Sequence, residues 1–239
     1  MNIILYKDTL YGAKQLYDEV DSYNFLDGII LSATMTKDDK IIVYNFLYNP
    51  YASVQSIQKE SYNELKANVF YEISEFFEIF KNYKGKLIIN LHGVPNIIGH
   101  PNRNYKFVLK LRDIIKKYNQ INLYICSSYD DVITYIIKEL ENIKKGMVVF
   151  EGNLNYYDVD YYVVPSRMFD TKIVAQQLKL NKEIMLTLES TEEIISIIDK
   201  FKENYYLFDG MSKKQTEDLL HIVTKSPKVM DIVLSSKKN

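Results

Sequence analysis

The chain contains no tryptophan and only one cysteine, eight glycines and five prolines. The lone Cys126 excludes an intrachain disulfide framework and a cysteine-built zinc set. It sits in the apolar segment 122–126, which reads as a strand, so it is expected to be a packed core thiol. No stretch approaches the ~20 apolar residues of a membrane span. The first ten residues lack a charged start followed by a long apolar run, so no leader is read and a cytoplasmic location is expected. Charge of one sign is also lacking. The net charge is −1, which leaves no bulk positive field to draw nucleic acid or anionic membrane. Lys237 and Lys238 at the extreme end read as a solvated tail. Segment 7–12 has one glycine, too few for a phosphate-cradling loop after a first strand.

What is present is a globular composition, with 47% hydrophobic and 26% charged residues. The 239 residues can bury a large core without covalent staples. The abundance of Ile, Lys, Asn and Tyr suggests an AT-rich genome. Short apolar runs occur at 2–6, 28–33, 40–44, 86–91, 122–126, 147–151, 161–164, 183–188 and 205–208. They are rich in Ile, Val, Leu and Tyr and short enough for buried strands. Between them, segments 10–23, 69–83, 104–118, 129–143, 169–180, 190–201 and 212–224 repeat apolar residues every three to four positions. Thr191 and Ser212 sit where helix caps are wanted. The stretch 46–68 is polar and irregular, and reads as a loop on the functional face.

Strand–helix alternation calls for parallel strands with helices outside. Roughly eight units within this length favour a closed (β/α)8 barrel of the TIM type over an open doubly wound sheet. No linker or repeat interrupts it, so one domain over 1–239 is expected.

Segment 26–46 carries Asp27-Gly28, then Thr36-Lys37-Asp38, then Ile42-Val43, without a gap. It resembles the signature of the glycerophosphodiester phosphodiesterase family, of the phospholipase-C-like superfamily: Ala-Asp-Gly-Ile-Glu-x-Asp, Thr-Lys-Asp-Gly, Val-Val-x-His-Asp. Lys86–His92 resembles the family's Glu-x-Lys strand, and Cys126-Ser-Ser-Tyr-Asp130 its Ser-Ser-Phe-Asp. Segment 183–189 resembles the Trp-Thr-Val-Asn strand, and 205–210 the closing Gly-Ile-Ile-Thr-Asp. The ordered set spans nearly the whole chain. The resemblance implies a phosphodiesterase-type barrel with a divalent cation and a histidine pair.

The departures fall on the chemistry. The family's His-Arg-Gly is Tyr6-Lys7-Asp8, its Glu-x-Asp is Ile30-Leu31-Ser32, its His-Asp is Asn45-Phe46 and its Glu-x-Lys is Asn90-Leu91-His92. The acidic ligands are neutral and both histidines are gone. Hard cations need anionic oxygens, so neither a metal nor any other cofactor is expected. Lost proton transfer costs about 10²–10⁴-fold, and lost metal stabilisation several kcal/mol more.

The expectation is therefore a pseudoenzyme that binds a ligand or regulates. Lys7, Asn45, Asn90, His92 and Arg167 would line a neutral-to-positive mouth able to hold a small phosphorylated or sugar ligand. Nucleic acid and membrane insertion are not expected. A divergent glycerophosphodiester hydrolase is the alternative, using His92 with Glu151, Glu189 and Asp209, each of which follows an apolar run. As helix-cap or turn carboxylates these three would have a structural role instead. A third reading is an interaction module, with loop 46–68 or a barrel face forming a homo-oligomer. His100 reads as solvated in a turn, His221 as structural in the last helix, and the tyrosine pairs 156–157, 161–162 and 205–206 as packing.

Overall fold

The computed structural model describes residues 2–6, 13–21, 27–44, 54–65, 71–94, 102–149, 157–165, 168, 180, 182–188 and 205–209. In chain order the elements are β1 (Asn2–Tyr6), α1 (Ala13–Asp21), β2 (Gly28–Met35), β3 (Ile41–Tyr44), α2 (Val54–Ile57), α3 (Tyr62–Leu65), β4 (Tyr71–Glu72), α4 (Ile73–Phe80) and β5 (Lys86–Leu91). They continue with α5 (Arg103–Ile115), β6 (Leu123–Ser127), α6 (Asp130–Glu139), β7 (Lys144–Val148), β8 (Tyr161–Pro165), β9 (Glu183–Leu188) and β10 (Tyr205–Asp209). β1 pairs in parallel with both β10 and β2, which closes the ring β1-β2-β5-β6-β7-β8-β9-β10. The eight ring strands are parallel throughout. The expected (β/α)8 barrel is therefore the observed architecture.

A parallel ring buries both strand faces, so its strands need no polar side. All eight residues of β2 are buried. Alternation then sorts side chains between two cores. Ile29, Leu31 and Ala33 join Leu87, Ile89, Leu91, Ile125, Phe107 and Ile133 in the layer beneath the helices. Ile30 joins Ile88, Tyr124, Cys126, Tyr161, Val163 and Met185 inside the ring. In α4, Ile73, Phe76, Phe77 and Phe80 recur at helical spacing and are fully buried. Phe76 stacks on Phe80 at 4.3 Å, and Tyr17 of α1 meets Phe80 edge-on at 5.4 Å. Each such phenylalanine stabilises by about 1.5–3 kcal/mol through burial, which outweighs the absence of a side-chain N-cap at Glu72.

The structure departs from the sequence reading in four places. Run 40–44 becomes β3, which is antiparallel to β2 and lies outside the ring, with β4 antiparallel beyond it. Stretch 46–68 contains α2 and α3 rather than loop alone. The helical pattern from 69 starts only at Ile73, because Tyr71 and Glu72 pair with Val43 and Ile42. Run 147–151 is β7 at Lys144–Val148, with Gly146 opposite Tyr161. The apolar pattern there misses a strand that begins with two lysines at the barrel's N-terminal rim. The helical segments expected at 190–201 and 212–224, with Thr191 and Ser212, lie outside the described residues, as does 169–179 of the segment before them.

Candidate functional site

β2 and β5 run side by side, and their register sets Ile30 beside Ile88 and Ser32 beside Asn90. Alternation puts these pairs on the inner face, rising toward the strands' C-terminal ends, where β/α barrels form their sites. His92 follows directly, and its N–H donates to Ala33 O at 2.8 Å. Its Nε2 lies 3.1 Å from Asn90 Nδ2 and 3.3 Å from Ser32 Oγ. Tyr44 and Tyr129 flank the imidazole edge-on, at 5.8 and 6.3 Å between centroids. Beside Asn90 on β6, Cys126 Sγ lies 4.0 Å from Asn90 Oδ1. Burial pulls the His92 pKa down to about 4 and pushes the Cys126 thiol up to about 12. Both groups are therefore uncharged at neutral pH.

A buried network fixes the backbone that carries His92. Thr34 Oγ1 donates to His92 O at 2.8 Å. Gln58, fully buried, donates from Nε2 to Thr34 Oγ1 at 2.8 Å and to Gly93 O at 2.9 Å. From the other side, Asn104 accepts from Val94 N at 2.7 Å, donates to Val94 O at 3.1 Å and donates to Asp131 at 2.7 Å. Buried polar groups are costly unless paired, so these bonds specify one position for the turn after β5. Gln58 belongs to the chain just after α2, and thus ties the β3–β4 excursion to the mouth.

The turn between β2 and β3 is tied down in the same way. Thr36 Oγ1 donates to Asp38 at 2.7 Å, and Asp38 accepts from Tyr62 N at 2.9 Å. Burial alone would raise the Asp38 carboxyl, but these hydrogen bonds leave it below its ordinary value. Asp39 takes φ 61°, a left-handed conformation that favours glycine. In the resemblance read from the sequence, this position matches the glycine of Thr-Lys-Asp-Gly.

Of the sequence-derived candidates, the structure brings Asn90 and His92 together. Lys7, Asn45, Arg167, Glu151 and Glu189 lie outside the described residues, as do His100 and His221. For Asp209 the backbone alone is described, at the end of β10 in register with Tyr6. Sequence reasoning missed Ser32 as a partner of His92, and missed Tyr44, Tyr129 and Gln58. Tyr129 stands in the Ser-Ser-Tyr-Asp segment at the end of β6, and that segment is the one sequence signal for it. A glutamine in a polar stretch gives none.

The donors that β2 and β5 deliver are a hydroxyl, an amide and an imidazole, with Ile30 packed among apolar side chains. Such a set does not fit a hard dication, which requires anionic oxygens. Among the described residues no three His, Cys, Asp or Glu gather at one point.

No protein-family model matches the chain, and no curated protein matches it in sequence. Solved structures do share its fold. A protein from Silicibacter pomeroyi classed as a glycerophosphoryl diester phosphodiesterase superposes with a TM-score of 0.75 at 10% identity, covering 93% of both chains. A glycerophosphodiester phosphodiesterase from Parabacteroides distasonis gives 0.70 at 15% identity, over 92% of this chain and 97% of that one. An Oleispira antarctica phosphodiesterase, solved with its product sn-glycerol-3-phosphate, gives 0.69 at 10% identity over 92% and 97%. The fold of this chain is that of the glycerophosphodiester phosphodiesterase barrels.

Proposed function

We propose that this barrel binds a small phosphorylated or sugar ligand at the C-terminal mouth of its ring and does not perform the metal-dependent hydrolysis of the enzymes whose fold it shares. One observation carries the reading. The inner positions of β2 and β5 that match the family's carboxylates are Ile30, Ser32 and Asn90, and the last two are hydrogen-bonded to a neutral His92. A cation brought out of water to these groups would lack compensating charge. A ligand held by hydrogen bonds would not need one. Lys7 and Arg167 remain the proposed charge partners for a phosphate.

The test uses the full chain. Thermal unfolding is followed with sn-glycerol 3-phosphate and with glycerol, alongside release of product from a glycerophosphodiester in Mg²⁺ or Ca²⁺. Stabilisation without turnover is the expected result. Turnover that rises with either cation and falls in His92→Ala would establish a hydrolase instead. A concentration-dependent dimer with no ligand response would favour the interaction module.

A further inference from the structure

The mouth residues form a line that determines where the imidazole proton of His92 sits. Cys126 is buried inside the ring among Ile30, Ile88, Val163 and Met185. Its thiol keeps its proton at neutral pH, because burial pushes its pKa up to about 12. A protonated thiol offers a donor and only a weak acceptor. Its fitting partner on a primary amide is the carbonyl oxygen, and Asn90 Oδ1 is the atom at 4.0 Å. That choice turns the amide NH₂ toward His92, where Nδ2 stands 3.1 Å from Nε2. A ring nitrogen that accepts from an NH₂ carries no proton. In a neutral imidazole the proton is then on the other nitrogen.

We propose that Cys126 and Asn90 hold His92 as the Nδ1–H tautomer, and that this N–H is offered at the mouth to an acceptor oxygen of a phosphorylated ligand. The basic nitrogen, Nε2, is turned inward against Asn90 and Ser32. Among the described residues Nδ1 makes no hydrogen bond, and His92 stays partly exposed between the Tyr44 and Tyr129 rings. His92 is thus a neutral donor rather than a general base, and selects ligand groups that accept. The tautomer is a property of the ligand-free protein; the donor role rests on the function proposed above.

The experiment is ring 15N–1H correlation spectroscopy on the full chain labelled at histidine, with His92 identified by the signal lost in His92→Gln. At pH 7 the wild-type signal is expected to place the proton on Nδ1. In Asn90→Asp the carboxylate can only accept, so the proton moves to Nε2. Cys126→Ser keeps the donor and keeps the wild-type tautomer. A wild-type proton on Nε2 overturns the proposal without any variant, as does Asn90→Asp leaving the tautomer unchanged. Adding sn-glycerol 3-phosphate is expected to shift Nδ1–H. Stabilisation of the protein without that shift overturns the donor role. No response of either kind counts against the ligand reading, and the tautomer is still decided by the ligand-free spectrum.

Discussion

His92 makes the barrel acid-sensitive by a calculable amount. Burial lowers its pKa from 6.5 to about 4 in the folded chain, so between those values the unfolded chain binds a proton that the folded one does not. Stability then falls as pH drops through this window and is fully present above it. Between pH 7 and pH 5 the loss from this one group is about 2 kcal/mol, since one pKa unit corresponds to about 1.4 kcal/mol. His92→Gln removes the titrating group while retaining a side chain that can hydrogen-bond. Its stability difference from wild type should therefore change by about 2 kcal/mol in the variant's favour on going from pH 7 to 5. With a urea slope of about 3 kcal/mol per M, that is a relative midpoint shift of roughly 0.7 M. Other histidines and the carboxylates titrate in both proteins and cancel. Parallel pH profiles for the two proteins would mean that His92 is solvated like an ordinary histidine, and the argument for an uncharged imidazole at the mouth would fail with it.

Two further perturbations test the frame. A Cβ added at Gly146 would run into the Tyr161 ring, so Gly146→Ala should cost about 1–3 kcal/mol by overpacking. Thermal denaturation reads the loss, and adding Tyr161→Val should restore part of it; an unchanged midpoint in Gly146→Ala would show that the ring can move aside. At Asp39, with φ 61°, a β-branched residue is strained, so Asp39→Val should lose about 1–2 kcal/mol. Asp39→Gly should be neutral or stabilising, because the exposed ion pair to Lys106 that it forfeits contributes about 0–1 kcal/mol. Equal midpoints for the Val and Gly variants would exclude a left-handed turn.

The parts of the fold that were legible in the sequence are those in which local pattern and tertiary pairing agree. Segments 2–6, 86–91 and 183–188 are strands with the bounds their apolar runs suggest. Where pairing dominated, the pattern misled. Tyr71 and Glu72 look helical, yet partners on β3 hold them extended. Lys144 and Lys145 look like loop, yet they open β7 at a rim where Lys144 reaches Asp160 at 3.5 Å. For the site, residue types at strand ends identified Asn90 and His92, since period-two counting needs no coordinates. It could not pair Ser32 with His92, because that contact depends on register between two strands 60 residues apart. Nor could it find Gln58, whose role exists only once an excursion folds back over Thr34 and Gly93.

The barrel can keep its frame while its mouth changes because the two rest largely on different residues. The cores on the two faces of the sheet are largely apolar, and Cys126 is a point where the inner one meets the mouth. Carboxylates crowded at strand ends repel and are held ionised at a cost to the fold, which a bound cation ordinarily offsets. Here one register row runs Tyr44, Ser32, Asn90, Cys126, Gly146 across neighbouring strands. None of its members is an acid or a base that ionises at neutral pH, and Asn90 bridges the neighbouring thiol to the imidazole. At the end of the row Gly146 leaves room that the Tyr161 ring of β8 fills. The row therefore presents uncharged groups side by side across β2, β5, β6 and β7. In the proposed site Lys7 and Arg167 would supply charge while Asn90 and His92 select by direction, which is why the orientation of a single imidazole carries so much of the proposed specificity.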